Sequence, residues 1–224
     1  MKETMKTRYA PLGGIEKVLA SYKRGDFSLA EIGERIGISK TSVCNDFRYV
    51  FGAEGVEEAQ KERKQAASKK SAITALKNGK PAKMSYSETV ACLKSGEIER
   101  KGFLSIFETV VQLARSVTGI PDVIRFGLNS IREIEGKEGI VKIRYGEPKK
   151  KLAEYRIDRY RFKITPGMAK NVDALIFCLK GKGKFLYYVF PPEKVAKIKS
   201  LNLKFDKQEK SKYAAFLAKV EPQK

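Results

Sequence analysis

Histidine is absent from all 224 residues, and so is tryptophan. Without histidine, Ser-His-Asp and Cys-His catalysis, histidine-ligated zinc and HNH-type nuclease chemistry are excluded. Tyrosine recombinase chemistry, which sets a histidine beside its arginines, loses a member as well. Cysteine is scarce: Cys44, Cys92 and Cys178 are far apart, odd in number and never in a CxxC pair. Neither a zinc ribbon nor a disulfide framework is therefore expected, and a reducing cytoplasm is the simplest setting. No apolar run approaches the roughly 18 residues of a membrane helix. The opening stretch MKETMKTRYAPLGG lacks the apolar core of a signal peptide. A membrane partner is not expected.

Acids are also short, with 26 Asp and Glu against 46 Lys and Arg and a net charge of +20. A thermostable charged surface raises Lys and Glu together. Here the acids lag, which argues for a polyanionic partner. Any hydrolysis would have to rest on carboxylates, lysine and a bound divalent ion. Apolar residues make up 42% of the chain, enough for a real core, and the length allows one large domain or two small ones.

Residues 29–52, LAEIGERIGISKTSVCNDFRYVFG, carry the most specific pattern. Leu29, Ile32 and Ile36 recur at helical spacing and make one apolar face. Gly33 keeps that face small enough for a second helix to approach. Gly37 stands where the first helix must stop, in a conformation glycine tolerates. Ile38 is an apolar plug, and Ser39 is a natural cap for the helix that follows. Val43 and Phe47 face the first helix. Ser39, Lys40, Thr41, Ser42, Asn45 and Arg48 are left outward, donors suited to phosphates and base edges. Asp46 is expected among them, orienting Arg48 or Lys40. Together these residues read as a helix-turn-helix, the arrangement that lays one helix in the DNA major groove. SKTSVCNDFRYV resembles the reading helix of DeoR-type and sporulation-type bacterial regulators, whose pattern runs S-K-S-T-V-x-x-D-[IL]-x-x-L. The resemblance covers about 25 residues. It implies DNA binding, with Phe47 replacing the usual aliphatic residue.

Residues 15–24 predict a helix leading into the motif, and Asp26 or Ser28 would cap the next. Residues 56–78 are polar and free of Gly and Pro, which predicts an exposed helix. Between 61 and 83 stand eight basic residues, Arg63 and Lys64 among them, against the single acid Glu62. Such a run is either a solvated face or a track along the phosphate backbone, which would make affinity fall with salt. Asn78 to Lys83 punctuates the chain.

Further on, helices are predicted near 87–95 and over 98–118, the latter with Phe103, Phe107, Val110, Val111, Leu113 and Ala114 in a buried stripe. The period then changes to that of strands at 130–135 and 139–145, with a turn at 136–139. In the second of these, Lys142 and Arg144 alternate with Val141, Ile143 and Tyr145. Over 154–164 the apolar phase slips from Tyr155 and Ile157 to Tyr160, Phe162 and Ile164, which suggests a bulge near 158–159. Residues 172–179 and 185–190 are almost continuously apolar and read as central strands. A helix begins at 193, and 211–219 predicts a last amphipathic helix. Tyr155, Tyr160, Tyr187 and Tyr188 are core residues or stacking platforms for bases.

This order resembles the PD-(D/E)xK nuclease fold, in its restriction-like and homing-endonuclease-like members. Asp173 through Pro191 fits the late strand pair of that family, and Glu108 stands where its helix glutamate would be. The resemblance implies a divalent metal such as Mg2+, held by carboxylates, with a lysine to position water. Glu133 could stand for the strand aspartate. Asp122, Glu135 and Lys137 form a literal motif match, with Lys137 at the hairpin tip. Lys142 and Arg144 occupy the positions where a metal-ligating carboxylate and the lysine belong, and cations there would repel a metal.

The expectation is a two-domain chain of α+β or α/β class. It comprises a helix-turn-helix at 1–55, a basic helical linker at 56–84, and a nuclease-like domain at 85–224 built on a mixed sheet flanked by helices. Sequence-specific binding of double-stranded DNA is the leading function, with Arg63, Lys64, Lys142 and Arg144 as further DNA contacts. A metal-dependent endonuclease of restriction or homing type using Glu108, Asp122, Glu133, Glu135 and Lys137 is the alternative. An RNA-binding protein using the sheet face is a third. A homodimer on paired half-sites is one arrangement open to such a protein, although no heptad marks a dimer element.

Overall fold

A computed structural model describes residues 3–99, 102–127, 130–146, 159–165, 167–181, 184–205 and 211–218. The chain forms two compact units, Met1–Thr74 and Ala75–Lys224. Among the described residues, no helix is long and apolar enough to cross a membrane.

The first unit is helical: α1 (Glu3–Tyr9), α2 (Ile15–Lys23), α3 (Leu29–Ile36) and α4 (Lys40–Lys77). Its core gathers Tyr9, Ile15, Val18, Tyr22, Ile32, Val43, Phe47, Val56 and Ala59. The α3 start is a complete capping box. Ser28 Oγ accepts from the Glu31 N–H at 3.1 Å, and Glu31 Oε2 accepts from the Ser28 N–H at 2.6 Å. The Ser28 hydrogen bonds hold the Glu31 carboxyl below its ordinary value. Asp26, the other candidate cap, instead pairs with Arg24 at 2.9 Å.

α4 is not one straight rod. Gly52 takes φ 76° and ψ 170° and divides it into a first limb before Gly52 and a second limb after it. The expected exposed linker helix starts as part of the helical core, because Val56 and Ala59 of the second limb are buried there. Helix α1 was not foreseen, being only seven residues long, too short to show a period.

The second unit holds a six-stranded sheet in the order β1-β2-β3-β4-β6-β7 and a two-stranded sheet β5-β8. The strands are β1 (Ala82–Ser85), β2 (Pro121–Gly127), β3 (Ser130–Gly136), β4 (Ile140–Gly146), β5 (Arg159–Lys163), β6 (Ala174–Gly181), β7 (Lys184–Phe190) and β8 (Ser200–Lys204). Its helices are α5 (Tyr86–Ser95), α6 (Phe107–Thr118) and α7 (Pro192–Ala196). The pairings are antiparallel except β4 with β6. The unit is thus a mostly antiparallel mixed sheet with helices. Asp173 starts the parallel pair: its N–H donates to the Ile140 carbonyl and its carboxylate accepts from the Ile140 N–H, both at 2.8 Å.

Register divides the large sheet into two faces. On one, the buried Ile124, Ile134, Val141, Ile143 and Ile176 run continuously from β2 to β6. Helix α6 packs on β2, β3 and β4. The other face is split. Over β6 and β7 it carries Leu175, Phe177, Leu179, Tyr188 and Phe190, covered by Tyr160, Phe162, Leu201 and Leu203 of β5 and β8. Over β2 to β4 it carries Arg125, Glu133, Glu135, Lys142 and Arg144.

Several expectations are corrected here. The helix foreseen over 98–118 is a 3-10 turn at Gly102–Ile106 followed by α6, and the Phe103 side chain lies outside the described residues. Strand β7 ends the sheet order and is not central. Its edge is covered by a bridge from Tyr188 to Leu217 and by the Ala218 N–H donating to the Tyr187 carbonyl at 2.8 Å. The last amphipathic helix is instead a 3-10 turn at Ala214–Phe216, because Phe216 stacks on Phe190 with ring centroids 4.4 Å apart. Tyr160, Tyr187 and Tyr188 are core, while Tyr155 and the expected slip near 158 lie outside the described residues.

Candidate nucleic-acid interface

Helices α3 and α4 meet at a left-handed Gly37, φ 72° and ψ 32°, whose N–H donates to the Gly33 carbonyl. The Ile38 N–H donates to the same carbonyl at 2.9 Å. Gly33 is where the chain returns over the helix: a Cβ there would collide with the Ile38 carbonyl oxygen. Ser39 then caps α4. Its Oγ accepts from the Ser42 N–H at 3.1 Å and lies 3.0 Å from the Ser42 hydroxyl.

The first limb of α4 divides cleanly. Val43, Asp46 and Phe47 are buried, while Lys40, Thr41, Asn45, Arg48 and Tyr49 are exposed. Ser39 and Ser42 belong to this end of the helix, but their hydroxyls are engaged with each other. Tyr49 is 59% exposed, one of two large apolar side chains so placed among the described residues. Four residues after Asn45, it shares the outward stripe and joins the candidate set. A tyrosine at that spacing reads as core from sequence, which is why it was missed.

Asp46 departs from expectation. It faces inward, where Oδ2 accepts from Arg8 Nη1 at 2.8 Å and from the Tyr9 hydroxyl at 3.2 Å. It is 7% exposed, so it ties α1 to the first limb of α4 and orients neither Arg48 nor Lys40. Burial first, then the Asp46 charge and hydrogen bond, push the Tyr9 hydroxyl well above its ordinary value of 10.0. The folded state therefore holds the proton more tightly than the unfolded chain. That stabilisation is complete below the ordinary tyrosine value and is lost as pH rises above it. Urea unfolding on both sides of 10.0 is expected to show alkaline loss of helical-unit stability, smaller in Asp46→Asn.

Arg63 is also committed. Its Nη1 donates to the Phe27 carbonyl at 2.8 Å and its guanidinium lies 4.6 Å from the Tyr22 ring centroid. Beside it Lys23 pairs with Glu62 at 3.1 Å. Arg63 thus braces the second limb of α4 against α2, and Lys64 is the exposed cation of the pair.

In the second unit the expected carboxylates are scattered. Glu133 and Glu135 share a face, but Arg125 lies between them: its Nε donates to Glu133 at 2.7 Å and its Nη2 to Glu135 at 3.0 Å. Glu133 pairs across the sheet with Lys142. Lys142 Nζ donates to the Lys170 carbonyl at 3.3 Å. Asp122 is exposed at a register shift in β2, and Lys137 is exposed in the turn between β3 and β4. Glu108 lines a groove of about 460 Å³ between α5 and α6, with Tyr86, Lys94 and Arg115. Among the described residues, no group of three His, Cys, Asp or Glu side chains could hold a metal. A cation at Glu133 and Glu135 would have to displace a guanidinium that already satisfies both. Plasmid incubated with the protein and Mg2+ or Mn2+ is therefore expected to remain uncut. Cleavage that disappears in Glu133→Ala, Glu135→Ala or Asp122→Ala would overturn that expectation.

No family model matches the sequence, and no curated protein or solved structure matches the chain.

Proposed function

We propose that the chain is a sequence-specific double-stranded DNA-binding protein that lays the first limb of α4 in the major groove. The observation that carries this reading is the division of that limb. Val43, Asp46 and Phe47 anchor it to the helical core, behind a tight turn at Gly37, and leave Lys40, Thr41, Asn45, Arg48 and Tyr49 outward. Arginine matches the two acceptors of guanine and asparagine matches adenine, so Arg48 and Asn45 are the base readers. Lys40 and Thr41, at the helix start, suit phosphate oxygens. Tyr49 offers its ring to a thymine methyl or its hydroxyl to a phosphate. Lys61 and Lys64 on the second limb, with the net charge of +20, add salt-dependent attraction to any duplex.

For the second unit, the helix-then-hairpin order and the parallel β4–β6 pair support a nuclease-like scaffold whose charged face binds rather than hydrolyses. The Arg125 bridge between Glu133 and Glu135 favours that role.

Fluorescence anisotropy on a selected duplex tests the assignment. Asn45→Ala and Arg48→Ala are each expected to weaken specific binding by about 1–3 kcal/mol and to relax base preference. Lys64→Ala is expected to weaken all duplexes alike and to lower the salt slope by about 1. Unchanged affinity in both reading-helix variants would remove the assignment, and tighter binding of RNA than of duplex DNA of equal length would replace it.

A further inference from the structure

The β2–β3 pair is interrupted at one residue. Arg125 pairs with Glu133 and Phe126 with Ile131, so Arg132 is the extra residue of a bulge. Bulges re-aim side chains, and Arg132 is re-aimed over Gly127. A Cβ on Gly127 would collide with Arg132 Nε and lie 2.9 Å from its Cγ. Gly127 alternates with Arg125 along β2, so Arg132 lies on the charged face. The absent side chain at 127 is what lets it lie flat there.

Arg144 reaches the same face from β4. It is half-buried and is held below its ordinary value by burial first and then by the Arg132 charge, against the opposing pull of the Glu133 carboxylate. Its place is the boundary of the split face. It pairs across the sheet with Phe177, which lies under the β5–β8 cover. The next residue on its side, Gly146, sits directly beneath Phe162: a Cβ there would lie 2.7 Å from the Phe162 ring and 3.0 Å from Tyr160.

Five cations (Lys83, Arg125, Arg132, Lys142 and Arg144) share this face with two carboxylates, Glu133 and Glu135. Arg125 occupies both carboxylates, and Lys142 donates to a backbone carbonyl. Among the described residues no ion pair engages Arg132 or Arg144. Glu133, whose carboxylate Arg125 already holds, only partly offsets the Arg132 repulsion at the half-buried Arg144. An anion between the two arginines would relieve the repulsion, and the partial burial would strengthen the attraction.

We propose that Arg132 and Arg144 form a phosphate-binding site on the β3 bulge and β4, where the charged half of the sheet meets the Phe162 cover. Two guanidinium forks meet the tetrahedral oxygens of a phosphate monoanion or phosphodiester with charge-assisted hydrogen bonds. This site does not rest on the reading helix, and it differs from the Lys142–Arg144 pair that alternation along β4 suggests. The phosphate comes either from a nucleic-acid backbone or from the free anion.

The test is arginine side-chain NMR on the full chain, titrated separately with inorganic phosphate and with a dinucleotide monophosphodiester, at ionic strength fixed with chloride. A dinucleotide is too short to engage a groove-reading helix, so failure here and failure of the major-groove reading are separate results. The expected result is a saturable shift of the Arg132 and Arg144 Nε–H signals, with the exposed Arg24 unmoved. Tighter response to the dinucleotide assigns the site to nucleic-acid backbone, and tighter response to phosphate assigns it to the free anion. Arg132→Gln, at an exposed position, is expected to weaken the Arg144 response by about tenfold, the loss of one charge-assisted hydrogen bond. No saturable shift with either ligand, shifts equal to those of Arg24, or an unchanged Arg144 response in Arg132→Gln would each overturn the proposal.

Discussion

Gly33→Ala is expected to cost the helical unit about 3 kcal/mol, the upper end of an overpacking penalty, and to abolish duplex binding with it. The added methyl group would meet the Ile38 carbonyl oxygen, a backbone atom that cannot swing aside. That carbonyl belongs to the residue between the αL turn at Gly37 and the cap at Ser39. Any movement that relieves the clash must therefore open the angle between α3 and α4. The same movement weakens the Ile38 N–H bond to the Gly33 carbonyl. Urea unfolding followed by circular dichroism, with anisotropy on a duplex, reads both effects. An alanine variant as stable as the parent would mean that the two helices do not cross at Gly33.

Asp46→Ala is expected to destabilise the same unit by about 2–3 kcal/mol, because it strands two partners. Arg8 would lose its carboxylate, and the fully buried Tyr9 would lose the acceptor of its hydroxyl. The value is set below that of a fully buried pair because the Arg8 side chain is 33% exposed and water recovers part of the loss. The double change Arg8→Ala/Asp46→Ala is expected to cost less than the sum of the single ones, since each removes the other's partner. Strict additivity in thermal unfolding would show that the Arg8–Asp46 contact contributes nothing.

The contrast between these two residues is one of local against long-range partners. Gly33, Gly37, Ile38 and Ser39 act within one local turn, and Val43 and Phe47 follow at helical spacing, so the local pattern exposes their roles. Asp46 and Arg63 act through hydrogen-bond partners 36 to 38 residues away, and nothing nearby in the chain distinguishes them from exposed charges. The sheet divides in the same way. The alternation in β4 and the apolar run of β6 were legible, and the β3–β4 turn fell where Gly136 to Gly139 predicts it. Strand β2 was missed because the register shift at Asp122 interrupts its alternation. The segment at 211–218 has helical spacing, but packing of Tyr213 and Phe216 on Phe190 overrides it. The candidate carboxylates Glu133 and Glu135 were legible as a pair on one face, and their capture by Arg125 from the neighbouring strand was not.

Site selection from a randomised duplex pool, followed by binding of the recovered duplex to the parent and to Asn45→Ala/Arg48→Ala, tests whether the first limb of α4 reads bases. One sequence is expected to be enriched, the parent to bind it far more tightly than a scrambled duplex, and the double variant to bind both alike. No enriched sequence, or full discrimination retained by the double variant, would contradict that role.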